Sequence, residues 1–133
     1  MKYIYLTFFL IFISCKSEDE YIGTYKSIIP NKQLKKKFKT QQYIFNNELI
    51  LKKDSTFFFK TCGIYANGKW SINNKNIILK SDSTRFRNDS INKISKPEGQ
   101  RLEELLTLKK YNNIYVSKLK NGGTYNYMKK VSQ

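Results

Sequence analysis

Short runs of alternating apolar and polar residues, each closed by a turn-forming pair, restrict this chain to antiparallel β structure. Along 56–62, Phe57, Phe59 and Thr61 fall on one side of an extended segment, and Phe58, Lys60 and Cys62 fall on the other. Trp70 and Ile72 alternate in the same way with Lys69, Ser71 and Asn73. Tyr125, Tyr127 and Val131 do so against Asn126 and Lys130, which predicts a core-facing tyrosine pair. The punctuation is Lys53-Asp54-Ser55, Asn67-Gly68, Asn73-Asn74, Asn112-Asn113 and Asn121-Gly122-Gly123. Asn and Gly tolerate the positive backbone angles of tight hairpin turns, so neighbouring strands should be antiparallel. Strands are expected near 21–26, 43–52, 56–64, 67–73, 76–81, 104–110, 113–119 and 124–131. About eight such strands in one small unit give an all-β fold, an up-and-down barrel or a β-sandwich.

Two regions depart from the pattern. Residues 31–41 carry Lys32, Lys35, Lys36, Lys37 and Lys39, with Leu34 and Phe38 four apart, a spacing that suits one short helical turn or a solvated surface loop. Residues 81–101 are polar, include Pro97 and Gly99, and read as a long excursion with a ninth strand near 85–94. Leu102, Leu105 and Leu106 offer an alternative helical start just beyond it.

The N-terminus reads as an address. Tyr3 through Ile13 is apolar or aromatic except for Thr7, follows Lys2, and ends at Ser14-Cys15 before Lys16-Ser17-Glu18-Asp19-Glu20. That is the layout of a secretory signal peptide, and it falls short of the roughly 20 apolar residues that span a bilayer. With Phe12 and Ser14 before the cysteine, the junction resembles the lipobox of bacterial lipoproteins in its looser Bacteroidota-type form. The resemblance implies lipidation of Cys15. It also implies that Lys16, Glu18, Asp19 and Glu20 act as an export signal for the outer face of the outer membrane. The expected organisation is a signal peptide at 1–14, a lipidated cysteine and acidic tether at 15–20, and one β domain at 21–133.

Charge then limits the partners. Residues 21–133 hold 23 Lys and Arg against 7 Asp and Glu, a net charge of +16. Such a field attracts an anionic glycan or an acidic protein. Lys32, Lys35, Lys36, Lys37, Lys39, Arg85 and Arg87 are the candidate patch, expected on one face. A composition rich in Lys, Asn and Ile and poor in Arg offers a codon-bias explanation for the same charge. Placement outside the cell argues against nucleic acid, although Lys36-Lys37-Phe38-Lys39 interleaves cations with an aromatic.

Reactive chemistry is sparse. The chain has no histidine, which rules out Ser-His-Asp and Cys-His arrangements and imidazole metal sites. With Cys15 lipidated, Cys62 has no disulfide partner and is expected to be a small buried apolar side chain. Glu103 and Glu104 are adjacent, so on a strand they point to opposite faces. No cofactor, metal or catalytic residue is expected.

Gly23-Thr24-Tyr25, Asp54-Ser55-Thr56-Phe57, Gly68-Lys69-Trp70-Ser71-Ile72 and Asn76-Ile77-Ile78-Leu79 resemble the rhythm of lipocalin-like small barrels on bacterial lipoproteins. Asp54-Ser55-Thr56, Asp82-Ser83-Thr84 and Asp89-Ser90-Ile91 also resemble a protein O-glycosylation motif of Bacteroidota-type bacteria. Tyr25, Tyr43, Phe45, Trp70, Tyr125 and Tyr127 are candidates to line a barrel mouth that takes a small apolar or glycan ligand; packing is the competing role. The functional expectation is a surface-exposed, non-catalytic binding lipoprotein. The alternative is an interaction or inhibitor lipoprotein that covers an acidic partner with its basic loops.

Overall fold

Eight antiparallel strands follow one another round a ring and close on themselves. The computed structural model describes residues 18–94, 105–119 and 123–132. The signal segment, Cys15, Lys16, Glu103 and Glu104 lie outside the described residues. In chain order the elements are β1 (Gly23–Ser27), α1 (Lys32–Phe38), β2 (Gln42–Ile44) and β3 (Glu48–Leu51). They continue as β4 (Thr56–Lys60), β5 (Ile64–Asn73), β6 (Asn76–Phe86) and α2 (Asp89–Ile94). The last are β7 (Leu105–Tyr111), β8 (Ile114–Lys118) and β9 (Thr124–Ser132). Strand order is β1-β3-β4-β5-β6-β7-β8-β9, and antiparallel pairing of β9 with β1 completes an eight-strand up-and-down barrel. Of the two all-β forms expected, the barrel is the one formed. The ninth strand, β2, lies outside the ring and pairs parallel with the first half of β9.

Alternation along the strands fills the barrel. Tyr25, Leu49, Leu51, Phe57, Phe59, Ala66, Trp70, Ile77, Leu79, Leu108, Tyr115 and Met128 form one buried cluster. A ligand-sized lumen would leave its lining open to water, whereas Tyr25, Leu49, Ala66, Ile77, Leu79, Leu108 and Met128 are all 0% exposed. Each large apolar side chain buried there contributes about 1.5–3 kcal/mol. The polar tips are satisfied: Trp70 Nε1 donates to the Lys52 carbonyl at 3.0 Å and Tyr25 Oη to the Tyr21 carbonyl at 2.6 Å. At the other end of the lumen the wall turns polar. Ser117 faces Asn126 across the β8–β9 register, and Asn47 opens the approach to β3.

Tyr21 plugs the end at which the chain enters. It is buried, sits edge-on to Tyr115 with centroids 6.4 Å apart, and Tyr115 in turn meets Tyr25 at 5.4 Å and 83°. Glu20 is held outside the plug, its carboxylate 3.4 Å from Lys110 Nζ and its carbonyl accepting from Lys130 Nζ at 2.6 Å. The acidic tether expected at 15–20 is therefore pinned to the barrel at its last residue.

Burial, then the nearby Tyr21 and Glu20, push the Tyr115 phenol up to about 12, and burial raises Tyr25 in the same sense. Folding thus favours the protonated phenols. Their contribution is complete below the ordinary tyrosine value of about 10 and is lost as pH climbs through the folded value. Urea midpoints should fall between pH 10 and 12, and fall less for Tyr115→Phe. Equal alkaline losses in the two proteins would refute this assignment.

Several sequence expectations change. The strand expected at 43–52 breaks in two where Asn46 adopts φ 62, so β2 leaves the ring while β3 stays in it. Asn67-Gly68 is no turn: it lies inside β5, where the register with β6 shifts. The ninth strand near 85–94 does not form; β6 runs to Phe86 and α2 follows. Tyr125 and Tyr127 point outward, and Asn126 and Met128 point in, the reverse of the expected faces. Cys62 is exposed in the β4–β5 turn, because Thr61 Oγ1 accepts from the Gly63 and Ile64 amides and ends the strand there.

Candidate functional site

The outer wall of β8 and β9 is apolar because a helix covers it. Asn31 caps α1, its Oδ1 accepting from the Leu34 amide at 2.9 Å, and Lys39 ends the helix in the left-handed region at φ 51. Leu34 and Phe38, one turn apart, face the wall. They pack on a cluster of Ile114, Val116 and Tyr127, joined by Ile28, Tyr43, Tyr111 and Tyr125. Phe38 meets Tyr111 at 5.5 Å and 89°, and Tyr127 at 5.9 Å and 72°. Tyr127 is further tied by a hydroxyl–hydroxyl hydrogen bond to Thr40, and burial raises its pKa despite that bond. Pairing of Gln42, Tyr43 and Ile44 with Thr124, Tyr125 and Asn126 fastens the far end of the segment.

Packing Leu34 and Phe38 inward turns the lysines outward. Lys35 and Lys37 flank the apolar stripe, with Nζ 4.8 Å from the Tyr43 centroid and 4.0 Å from the Tyr111 centroid. Cation–π contacts of this kind contribute about 0.5–1 kcal/mol at exposed sites and fix the side chain in place. Lys32, Lys36 and Lys39 point to solvent. The first turn of α1 has no acid, and among the described residues none of the five lysines makes an ion pair. Beside the helix lies an open cleft of about 310 Å³, lined by Asn31, Gln33, Leu34, Lys37, Tyr111, Asn112, Asn113 and Ile114.

The six aromatics expected to line one mouth do not meet. Tyr25 and Trp70 are inside the barrel; Tyr43, Tyr125 and Tyr127 lie outside under α1; Phe45 is 58% exposed beyond β2. The basic patch is likewise divided. Arg85 and Arg87 lie over Tyr65 at cation–π range, their guanidinium carbons 5.2 and 5.5 Å from its centroid. Tyr65 belongs to β5, which lies four strands from β9 in either direction round the ring, so the arginines stand on the wall opposite α1. Tyr65 and Tyr111 are not singled out by sequence, and Asn112-Asn113 reads there only as a turn. Only the β5–β6 register, which sets Tyr65 against Arg85, reveals the first of them.

Among the described residues no three His, Cys, Asp or Glu side chains converge as a metal site would require, and no helix is long and apolar enough to cross a membrane. Glu48 is engaged by Lys26 at 3.8 Å. Asp54 accepts from the Thr56 hydroxyl and amide, which lowers its pKa. No protein-family model, curated protein or solved structure matches the chain.

Proposed function

We propose that this protein is a lipid-anchored lipoprotein of the outer membrane, facing the cell exterior, that binds an anionic partner with its outer surface and performs no catalysis. An interaction or inhibitor role toward an acidic protein fits best. The observation that carries this reading is the α1 wall, where four lysines of the helix and its C-cap Lys39, none of them ion-paired among the described residues, stand on a helix that is itself clamped to the barrel. A filled lumen supports the same reading, since it shifts recognition from the inside of the barrel to its outside. Codon bias supplies lysines but does not account for the placing of Lys35 over Tyr43 and of Lys37 over Tyr111. A second reading, an anionic glycan, is favoured by the amides of Asn31, Gln33, Asn112 and Asn113 around the cleft.

Poly-L-glutamate and polygalacturonate serve as defined probes. The chain with all five lysines of residues 32–39, four in α1 and its C-cap Lys39, changed to glutamine (the five-lysine α1 variant) should bind poly-L-glutamate at least about tenfold more weakly at 50 mM salt, and lose less affinity on raising salt to 300 mM. Equal affinity of the two proteins would sink the assignment. Stronger capture by polygalacturonate would select the glycan. Independently, Cys15→Ala should move the protein from the membrane fraction to the soluble fraction, and retention on the membrane would refute the anchor.

A further inference from the structure

Two of the chain's three arginines stand on one ring. Arg85 lies directly across from Tyr65 in the β5–β6 register, and Arg87 follows two residues later on the same outer side. Arg87 spends one N–H on the Thr61 carbonyl at 3.4 Å and its backbone amide on the Gly63 carbonyl at 3.0 Å, which fixes its position against the β4–β5 turn. Among the described residues neither guanidinium is paired with a carboxylate. Their remaining donors face solvent, both side chains being exposed. Phe58 packs on Tyr65 at 5.5 Å and 36°, and Ile50 lies across from Phe58 in the β3–β4 register. The result is an outward row of half-exposed apolar side chains ending in two planar cations.

Composition does not predict this. Arginine makes up only 3 of 25 cationic side chains, so a lysine-biased chain that places two arginines on one tyrosine departs from its own tendency. Chemistry gives a reason: guanidinium offers a flat fork that grips a carboxylate with two parallel hydrogen bonds while its charge sits over an aromatic face, whereas ammonium lacks the fork. Tyrosine, arginine and a neighbouring aromatic are also the residues that dominate binding energy at protein interfaces.

We propose that Arg85, Arg87 and Tyr65 form a carboxylate-recognition station for an acidic protein segment that carries an apolar residue beside its acid, the apolar residue resting on Phe58 and Ile50. The station rests on the reading of this protein as a partner-binding module and adds a second contact on the wall opposite α1. Because the barrel separates the two, they engage two segments of one partner or two partners.

The test uses the full chain and the peptide N-acetyl-Asp-Leu-Asp amide. Only three arginine Nε–Hε signals exist, so NMR can follow the pair directly. Both station signals should shift on titration. Arg85→Lys/Arg87→Lys, which keeps the charge and removes the forks, should weaken the peptide at least fivefold; the five-lysine α1 variant should leave this binding unchanged. Equal peptide affinity in the double-lysine variant overturns the station, as does equal saturation by inorganic phosphate or galacturonate at the same concentration. Loss of poly-L-glutamate binding in the α1 variant together with a silent station would leave the proposed function standing and remove only this inference.

Discussion

Gly68→Ala is expected to lower stability by roughly 3 kcal/mol, read as a shift of the urea midpoint, at the upper end of what overpacking a tight site costs. A Cβ at this position would lie 1.9 Å from the Lys80 carbonyl oxygen and 2.9 Å from both the Lys80 carbonyl carbon and Phe57 Cε1. Neither neighbour can give way cheaply. Lys80 is backbone in β6, held on its far side by pairing with Leu105 of β7, and Phe57 is a buried core ring. Relief therefore requires the β5–β6 ladder to open at its register shift, between Asn67 and Gly68. Gly63→Ala is the control, because a Cβ there meets nothing within 4 Å. If both substitutions shift the midpoint equally, the close approach of the two strands is not what holds Gly68 in place.

The same glycine shows how far the sequence could be read. Asn67-Gly68 has the composition of a tight turn, yet glycine is equally the residue of a bulge where another backbone comes close, and local sequence does not separate these uses. The true hairpin between β5 and β6 turns at Asn74 and Lys75, both at positive φ, one residue on from the expected pair Asn73-Asn74. Period-two alternation was legible almost throughout. Its direction was not: Tyr125 and Tyr127 alternate as expected but face out, because α1 gives the outer wall an apolar cover and makes both faces of β9 partly buried. A strand buried on both sides carries no sequence mark saying which side is the lumen.

The lysine cluster was legible as charge, and Leu34 with Phe38 as a helical pair, but the wall they cover is formed by strands some eighty residues later. The division of the basic residues between opposite walls follows only from ring closure, which fixes β5 and β9 across from each other. Cys62 is exposed, where sequence predicts burial, for a local reason: the strand ends at Lys60 once the Thr61 side chain takes over the amides of Gly63 and Ile64.

A chain that begins at Ile22 should be about 3–5 kcal/mol less stable than one that begins at Glu18, with a correspondingly lower urea midpoint. The missing aromatic accounts for most of this, because Tyr21 is 4% exposed and closes the barrel end against Tyr115. Its carbonyl is also the acceptor for Tyr25 Oη, so removing it leaves a hydroxyl unpaired in the core, a further cost of about 1–3 kcal/mol that relaxation and water partly offset. The Glu20–Lys110 pair adds little, the carboxylate side chain being 67% exposed. Tyr21→Phe in the longer chain keeps both the ring and the carbonyl and should behave as the parent; equal midpoints for the chains beginning at 18 and 22 would show the plug to be idle. With the proposed anchor, the plug would also orient the molecule. With Cys15 lipidated as proposed, the five residues from Lys16 to Glu20 reach at most about 17 Å when extended. The barrel end at Tyr21, with the turns near 52–55, 74–75 and 112–113, is then held next to the bilayer. Arg87 and the exposed Cys62 lie at the opposite end, beside the β4–β5 turn, so with that anchor the proposed arginine station would be directed away from the membrane.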